Sequence, residues 1–234
     1  MPGLFIILSC LFYFTSFNYQ SIFSKNYNEA KLFMTSHADL FLEYSKAFQT
    51  DPDIIMPVLF PEAIRYSIVS DYLQTKSLEL VYVNTGEVDF SIGYFQMKPS
   101  FVYDLEEVIR KHPVQLSKYD SLQITGKKDI TEIRKTRIER LKQLEYQVVY
   151  ANCFYDIMKI MYPAIFNSDK AFQIKFISTA YNHGFLTGQE EIIEYTSKAF
   201  FPLNGKNNTQ KYVYNDISLY FYINDLPQIV AKKR

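Results

Sequence analysis

The chain has 234 residues, 48% hydrophobic and 21% charged, enough to bury a sizeable core and too apolar for an intrinsically disordered chain. With 25 basic and 25 acidic side chains the formal net charge is zero, so no overall field draws in a polyanion, and nucleic-acid binding is disfavoured. Tyr and Phe number 20 each while Trp is absent, so any sugar-stacking surface must use tyrosine or phenylalanine faces, with most of the rings expected in the core.

The run Leu4 to Phe14 is apolar, too short to span a bilayer and placed where a secretory signal belongs, although no Lys or Arg precedes it. Residues 1–20 are therefore expected to be a signal peptide or a lipoprotein-type leader, with Cys10 in Ile7-Leu8-Ser9-Cys10 as the residue a lipid would take. Removing them leaves Cys153 alone, so no internal disulfide can form; its apolar neighbours mark it as a small buried hydrophobe. No repeat or low-complexity tract is visible and Gly is scarce, so residues 27–230 are expected to form a single domain.

From about Tyr27 to Phe48, Ala30, Leu32, Phe33, His37, Leu40, Phe41 and Tyr44 recur at helical spacing and predict a first helix ending before Asp51. Asp51 can cap a second helix with Pro52 at its first position. Pro57 and Pro61 remove N–H donors, which predicts a kink or loosened last turn and places Glu62 near the end of a buried helix, where desolvation raises a carboxyl pKa. Leu78 to Val83 followed by Asn84-Thr85-Gly86 reads as a short strand and turn. Helices are expected over 100–111, from Asp129 to about Met161 where Pro163 stops the run, from an Asp169 cap to Tyr181 and Asn182 with Gly184 just beyond, and from Gln210 to Ile223. The fold class is mainly α, with a small β element.

Lys127, Lys128, Arg134, Lys135, Arg137, Arg140 and Lys142 interleave with Asp129, Glu132, Glu139 and Glu145, a pattern expected of a solvated helix face. His37, His112 and His183 lack the spacing of a zinc site, and no phosphate loop or nucleophile elbow appears, so no metal or cofactor is expected. A lone histidine after a helix end, His183 is expected to be structural or solvated.

Three segments bear on chemistry. Asp51-Pro52, an apolar string and then Glu62 form the first; Gly93-Tyr94-Phe95-Gln96-Met97 with Pro99 close behind forms the second; Ala180-Tyr181-Asn182-His183-Gly184 forms the third. In this order they resemble the soluble lytic transglycosylases and goose-type lysozymes, where the corresponding patterns are Asp-Pro to Glu-Ser, Gly-Leu-Met-Gln before a proline, and Ala-Tyr-Asn-x-Gly. Ala63 replaces the family's serine, and the intervals between motifs are longer than usual.

The resemblance implies a lysozyme-like fold and an exported, periplasmic or envelope-bound bacterial enzyme that acts as a monomer on peptidoglycan glycan strands, without a cofactor. Glu62 and Tyr181 would be the catalytic residues, Glu62 as the acid and the Tyr181 hydroxyl near it and the developing charge. Gly93, Tyr94, Phe95, Gln96, Met97 and Asn182 would line the sugar groove. The expected reaction is lytic transglycosylation, in which one Glu cleaves the MurNAc–GlcNAc bond and leaves a 1,6-anhydro end. A hydrolytic muramidase would need a second carboxylate to activate water, for which Asp71, Glu79, Glu87 and above all Asp89 are candidates. A glycan-binding envelope protein without turnover is the non-enzymatic rival. The segments do not identify any envelope-machinery partner.

Overall fold

A computed structural model describes residues 17–68, 72–126, 129–202, 210–231 and 233. The leader through Ser16, with Cys10, lies outside them, as do Asp71, Lys127 and Lys128. The chain is mainly helical with one small two-stranded antiparallel sheet. Helices α1 (Tyr19–Ser36), α2 (Ala38–Phe48), α3 (Pro52–Ile68), α4 (Tyr72–Thr85) and α5 (Pro99–Lys111) come first. They are followed by α6 (Ile130–Leu141), α7 (Leu144–Met161), α8 (Lys170–His183) and α9 (Gln189–Tyr195). Strands β1 (Phe201–Pro202) and β2 (Lys211–Tyr212) then pair, with Phe201 opposite Tyr212, before α10 (Tyr214–Asn224) and α11 (Leu226–Ala231).

Helix α3 is the centre of the packing. Every residue from Ile54 to Ile64 is buried, and α1, α8 and α10 lie against the helix. An amphipathic helix shows solvent one polar face; this stretch is apolar on every face apart from Glu62 and must be enclosed. Pro52 takes the first helical position and the Asp51 carboxylate accepts from the Asp53 N–H at 2.9 Å, so the start follows from capping. The helix does not end near Glu62. It continues through both internal prolines to Ile68, enclosed by the surrounding helices, and the Tyr214 hydroxyl of α10 donates to the Val58 carbonyl at 2.9 Å.

Four other expectations are corrected. The first helix starts at Tyr19, whose ring stacks on Phe23 at 5.9 Å, and the run breaks at His37, whose φ of −108° and ψ of 11° leave the helical region. His37 caps α1 through its own N–H and ring nitrogen, both directed at the Phe33 carbonyl. The long run from Asp129 breaks likewise at Gln143, where an extended backbone separates α6 from α7. The Leu78–Val83 strand is part of α4: Tyr82 is buried while Leu80 and Val81 are exposed, and Gly86 closes the helix with its N–H on the Tyr82 carbonyl at 2.8 Å. Finally, α10 begins at Tyr214 because Lys211 and Tyr212 are taken by β2.

The basic run on α6 is a solvated face only in part: Lys135 and Lys142 are exposed, whereas the arginines turn inward. Arg137 is buried, gives its Nη2 to Glu106 of α5 at 2.6 Å and its Nη1 to the Tyr82 hydroxyl at 3.1 Å. Arg140 donates to the carbonyls of Ser121 and Leu122. Cys153 is buried in α7, and desolvation pushes its thiol well above the ordinary range.

The Arg137–Glu106 pair joins α6 to α5, the helix that supplies one wall of the site described next. Replacing Glu106 with Leu strands a buried guanidinium, and unfolding in guanidinium chloride should show a loss of about 3–5 kcal/mol. A loss below about 1 kcal/mol, as for an exposed pair, would contradict this placement.

Candidate active site

The loop 91–98 between α4 and α5 is a tight hairpin closed by the Ile92–Met97 bridge, with reciprocal backbone hydrogen bonds of 2.9 and 3.1 Å. Gly93 sits at φ +71°, and a Cβ there would fall 1.6 Å from Gln147 Nε2, so both conformation and space require glycine. Gln147 of α7 is fully buried; its Oε1 accepts from the Phe95 N–H at 2.9 Å while its Nε2 donates to the Leu141 carbonyl at 2.5 Å. A single amide thus fastens the loop to the break between α6 and α7.

At the end of α8, begun by the Asp169 side chain accepting from the Phe172 N–H, the Tyr181 hydroxyl donates to the Phe95 carbonyl at 2.8 Å. Gly184 terminates the helix at φ +138°. The second and third motifs are therefore hydrogen-bonded to each other, and both border the Glu62 face of α3.

A cavity of about 410 Å³ lies between these elements. Glu62 and Arg65 of α3 border it, with Ser91, Gln96, Met97 and Lys98 from the hairpin. Ser100, Phe101 and Asp104 of α5 form another wall, and Tyr181 through Thr187 complete it. This volume falls in the range of small-molecule clefts. Amides and hydroxyls from Gln96, Asn182, Ser91, Ser100 and Thr187 share the lining with Phe101 and Phe185 and with the charged Glu62, Arg65, Lys98 and Asp104. Such a lining suits a polar ligand with both hydrogen-bonding and apolar faces.

Glu62 is 5% exposed, and its Oε2 is buried without a hydrogen-bond partner. Desolvation pushes its carboxyl from 4.5 up to about 7, against the pull of Arg65 and Lys98. The Arg65 guanidinium stands 3.7 Å from Oε2, near enough to attract and too far to hydrogen-bond. The group is therefore half protonated near neutral pH, able to give a proton and take it back. The neighbouring Glu62 charge and burial raise Tyr181 well above the usual phenol range, burial being the larger cause, so this hydroxyl stays protonated and acts as a donor.

Of the site residues expected from sequence, Glu62, Gln96, Met97, Tyr181 and Asn182 border the cavity. Gly93, Tyr94 and Phe95 do not. Gly93 packs on Gln147, Tyr94 stacks on Phe33 at 4.1 Å and lies tilted against Tyr66 at 4.4 Å, and Phe95 is core. Their role is to shape the hairpin that presents Gln96 and Met97. Asp89 also lies off the Glu62 cavity: its carboxylate accepts from the Ser100 N–H at 3.2 Å and hydroxyl at 2.8 Å, capping α5, and pairs with Lys98. Glu79 is engaged by Lys142. His183 stacks on Tyr195 at 3.6 Å and meets Glu191 at 2.8 Å on the cavity rim, the structural of the two roles expected for it.

Three charged residues of the cavity were missed. Arg65 follows Glu62 by one helical turn, Lys98 directly follows the second motif, and Asp104 lies one turn beyond Ser100 on α5. Only the helical offset of Arg65 was available from sequence. Asp104 has no hydrogen bond or ion pair among the described residues, and desolvation raises its carboxyl, helped by the nearby Asp89 charge. Among the described residues no cluster of His, Cys, Asp and Glu could hold a metal ion, and no helix is long and apolar enough to cross a membrane.

The chain matches no protein-family model, no curated protein and no solved structure.

The Glu62 shift fixes a pH dependence of stability. Between pH 4.5 and about 7 the native state keeps a proton the unfolded chain has lost, so stability falls as pH rises through that window. Glu62→Gln removes the titration, and its advantage over the parent should grow by about 3 kcal/mol from pH 4 to pH 8, at about 1.36 kcal/mol per unit. Urea unfolding at both pH values checks this; a difference independent of pH would contradict a buried acid.

Proposed function

We propose that this chain is a peptidoglycan lytic transglycosylase with a lysozyme-like arrangement of helices around a glycan-binding cavity. The observation that carries the reading is the gathering, around one cavity of about 410 Å³, of residues from all three motifs, with a buried carboxyl titrating near 7 among them. The reading also takes the enzyme to be exported to the bacterial envelope.

In this mechanism, protonated Glu62 gives its proton to the bridging oxygen of a MurNAc–GlcNAc linkage as the C1–O bond breaks. The oxocarbenium-like centre is steadied by the substrate's N-acetyl group. The Glu62 carboxylate, held by Arg65 and Lys98, then removes the proton of the sugar's 6-hydroxyl as O6 bonds to C1. That step yields the 1,6-anhydro ring and restores the acid. Gln96 and Asn182 supply amide donors and acceptors to N-acetyl and hydroxyl groups. Tyr181 acts at one remove: its hydroxyl proton is committed to the Phe95 carbonyl and so positions the hairpin.

A second reading, hydrolysis, is favoured by one observation, the unpartnered Asp104 carboxylate on the α5 wall of the same cavity. As a base it would activate a water on the face opposite Glu62.

Peptidoglycan digested with the parent, Glu62→Gln and Asp104→Asn proteins, with soluble products identified by mass spectrometry, tests both readings. Anhydro-muropeptides are expected from the parent and from Asp104→Asn, and a rate lower by at least about 100-fold from Glu62→Gln. The parent rate should fall as pH rises above about 7, where the acid is ionised. Reducing ends that vanish in Asp104→Asn would move the assignment to hydrolysis, and no products from a folded parent would contradict both.

A further inference from the structure

The charges that border the Glu62 cavity pair off with one exception. Arg65 stands 3.7 Å from Glu62 and lies over the Phe201 ring at 5.7 Å, Lys98 pairs with Asp89, and His183 meets Glu191. Asp104, half-buried on the α5 wall, has no hydrogen bond or ion pair among the described residues. Burial and the nearby Asp89 charge raise its carboxyl, while Lys111 pulls the other way from beyond ion-pair distance. The cavity therefore holds one carboxylate that awaits a cation.

The residue beside it points to the same chemistry. Ser100 sits one helical turn before Asp104, so the two share a face of α5, and both border the cavity. The Ser100 hydroxyl gives its proton to Asp89 at 2.8 Å, which leaves it only lone pairs for a ligand. This wall thus offers two acceptors side by side, a carboxylate and a hydroxyl oxygen that is itself bonded to a second carboxylate. A sugar hydroxyl or an amide N–H brings one proton and can satisfy one of them. An ammonium brings three donors and a charge, and can satisfy both.

We infer that the α5 wall is an ammonium subsite, in which Asp104 and Ser100 take the free 2-amine of a glucosamine unit in the glycan that occupies the Glu62 cavity. The assignment presupposes the glycan reading of that cavity. The ring nitrogen of a 2-acetamido sugar is neutral as an amide, and it becomes a cation once the acetyl group has been removed. The muramic unit attacked at C1 keeps the N-acetyl group that steadies its oxocarbenium-like centre, so the free amine belongs to the glucosamine beside it. The subsite makes the protein selective for wall glycan whose glucosamine units have lost their acetyl groups.

Calorimetry in the Glu62→Gln background, where turnover is blocked, measures this selectivity. The probes are a peptide-free murein tetrasaccharide, fully N-acetylated, and the same tetrasaccharide with its glucosamine amines free. The amine form should bind about tenfold more tightly, a size suited to one charge-assisted contact on a half-buried carboxylate. Adding Asp104→Asn should bring that ratio near one, and Asp104→Glu, which keeps the charge on a longer arm, should retain part of it. Added salt supplies a second measurement that needs no substitution at Asp104, because screening should narrow the preference.

Equal binding of the two glycans, tighter binding of the acetylated one, or a preference that survives Asp104→Asn would overturn the ammonium subsite and leave the Glu62 reading standing. An Asp104 that only activates water would give equal binding. A preference that salt does not narrow would overturn the ion pair. Failure of a folded protein to bind either glycan would overturn the glycan reading, and the ammonium subsite with it.

Discussion

A helix packed on every side has no favourable place for a charge, and α3 carries one acidic residue in the middle of such a helix. From Ile54 to Ile64 no residue of α3 reaches solvent freely. The only relief for Glu62 is the cavity on one side, where Arg65 stands 3.7 Å away and Lys98 acts from the hairpin. Neither removes the desolvation, so the carboxyl holds its proton to about pH 7. The unpaired Oε2 is the structural mark of the same constraint, since a buried oxygen without a donor lowers stability and persists where function uses it.

The surrounding architecture serves that helix. Phe60 stacks on Phe221 at 3.9 Å and packs edge-on to Tyr27 at 4.9 Å, which ties α3 to α10 and α1. Tyr214 supplies an external donor to the turn between the two prolines. On the far side of the cavity, Gln147 pins the hairpin and Tyr181 joins it to α8. The cavity walls therefore come from segments distant in sequence but linked by specific, directional hydrogen bonds.

Capping chemistry made the starts and stops of several helices legible in the sequence. Asp51 with Pro52, Asp169 and Gly184 act where their residue types predict, because a cap depends on its immediate neighbours. The breaks at His37 and Gln143 were hidden, since the apolar periodicity runs on through both and only packing decides the change of direction. Leu78 to Val83 misled for a related reason: its branched and aromatic residues have strand-like composition, yet Tyr82 is drawn inward by Arg137, a contact 55 residues away in sequence. The arginines of α6 could not be told from a solvated face, because their carboxylate and carbonyl partners lie on other helices. In the site, the motif residues that reach the cavity were legible as residue types, whereas the separation of Gln96 and Met97 from the merely structural Gly93, Tyr94 and Phe95 depends on the turn of the hairpin. Asp104 gave no local signal at all.

Glu62 is a buried carboxylic acid poised near neutrality beside a cavity of about 410 Å³. The most direct measurement is a carbon-13 NMR titration of the glutamate side-chain carboxyls, with Glu62 assigned from its Gln variant. A midpoint of about 7 is expected for Glu62. A midpoint close to the ordinary 4.5 would mean that the carboxylate is solvated or fully paired, and would contradict a buried acid at this position.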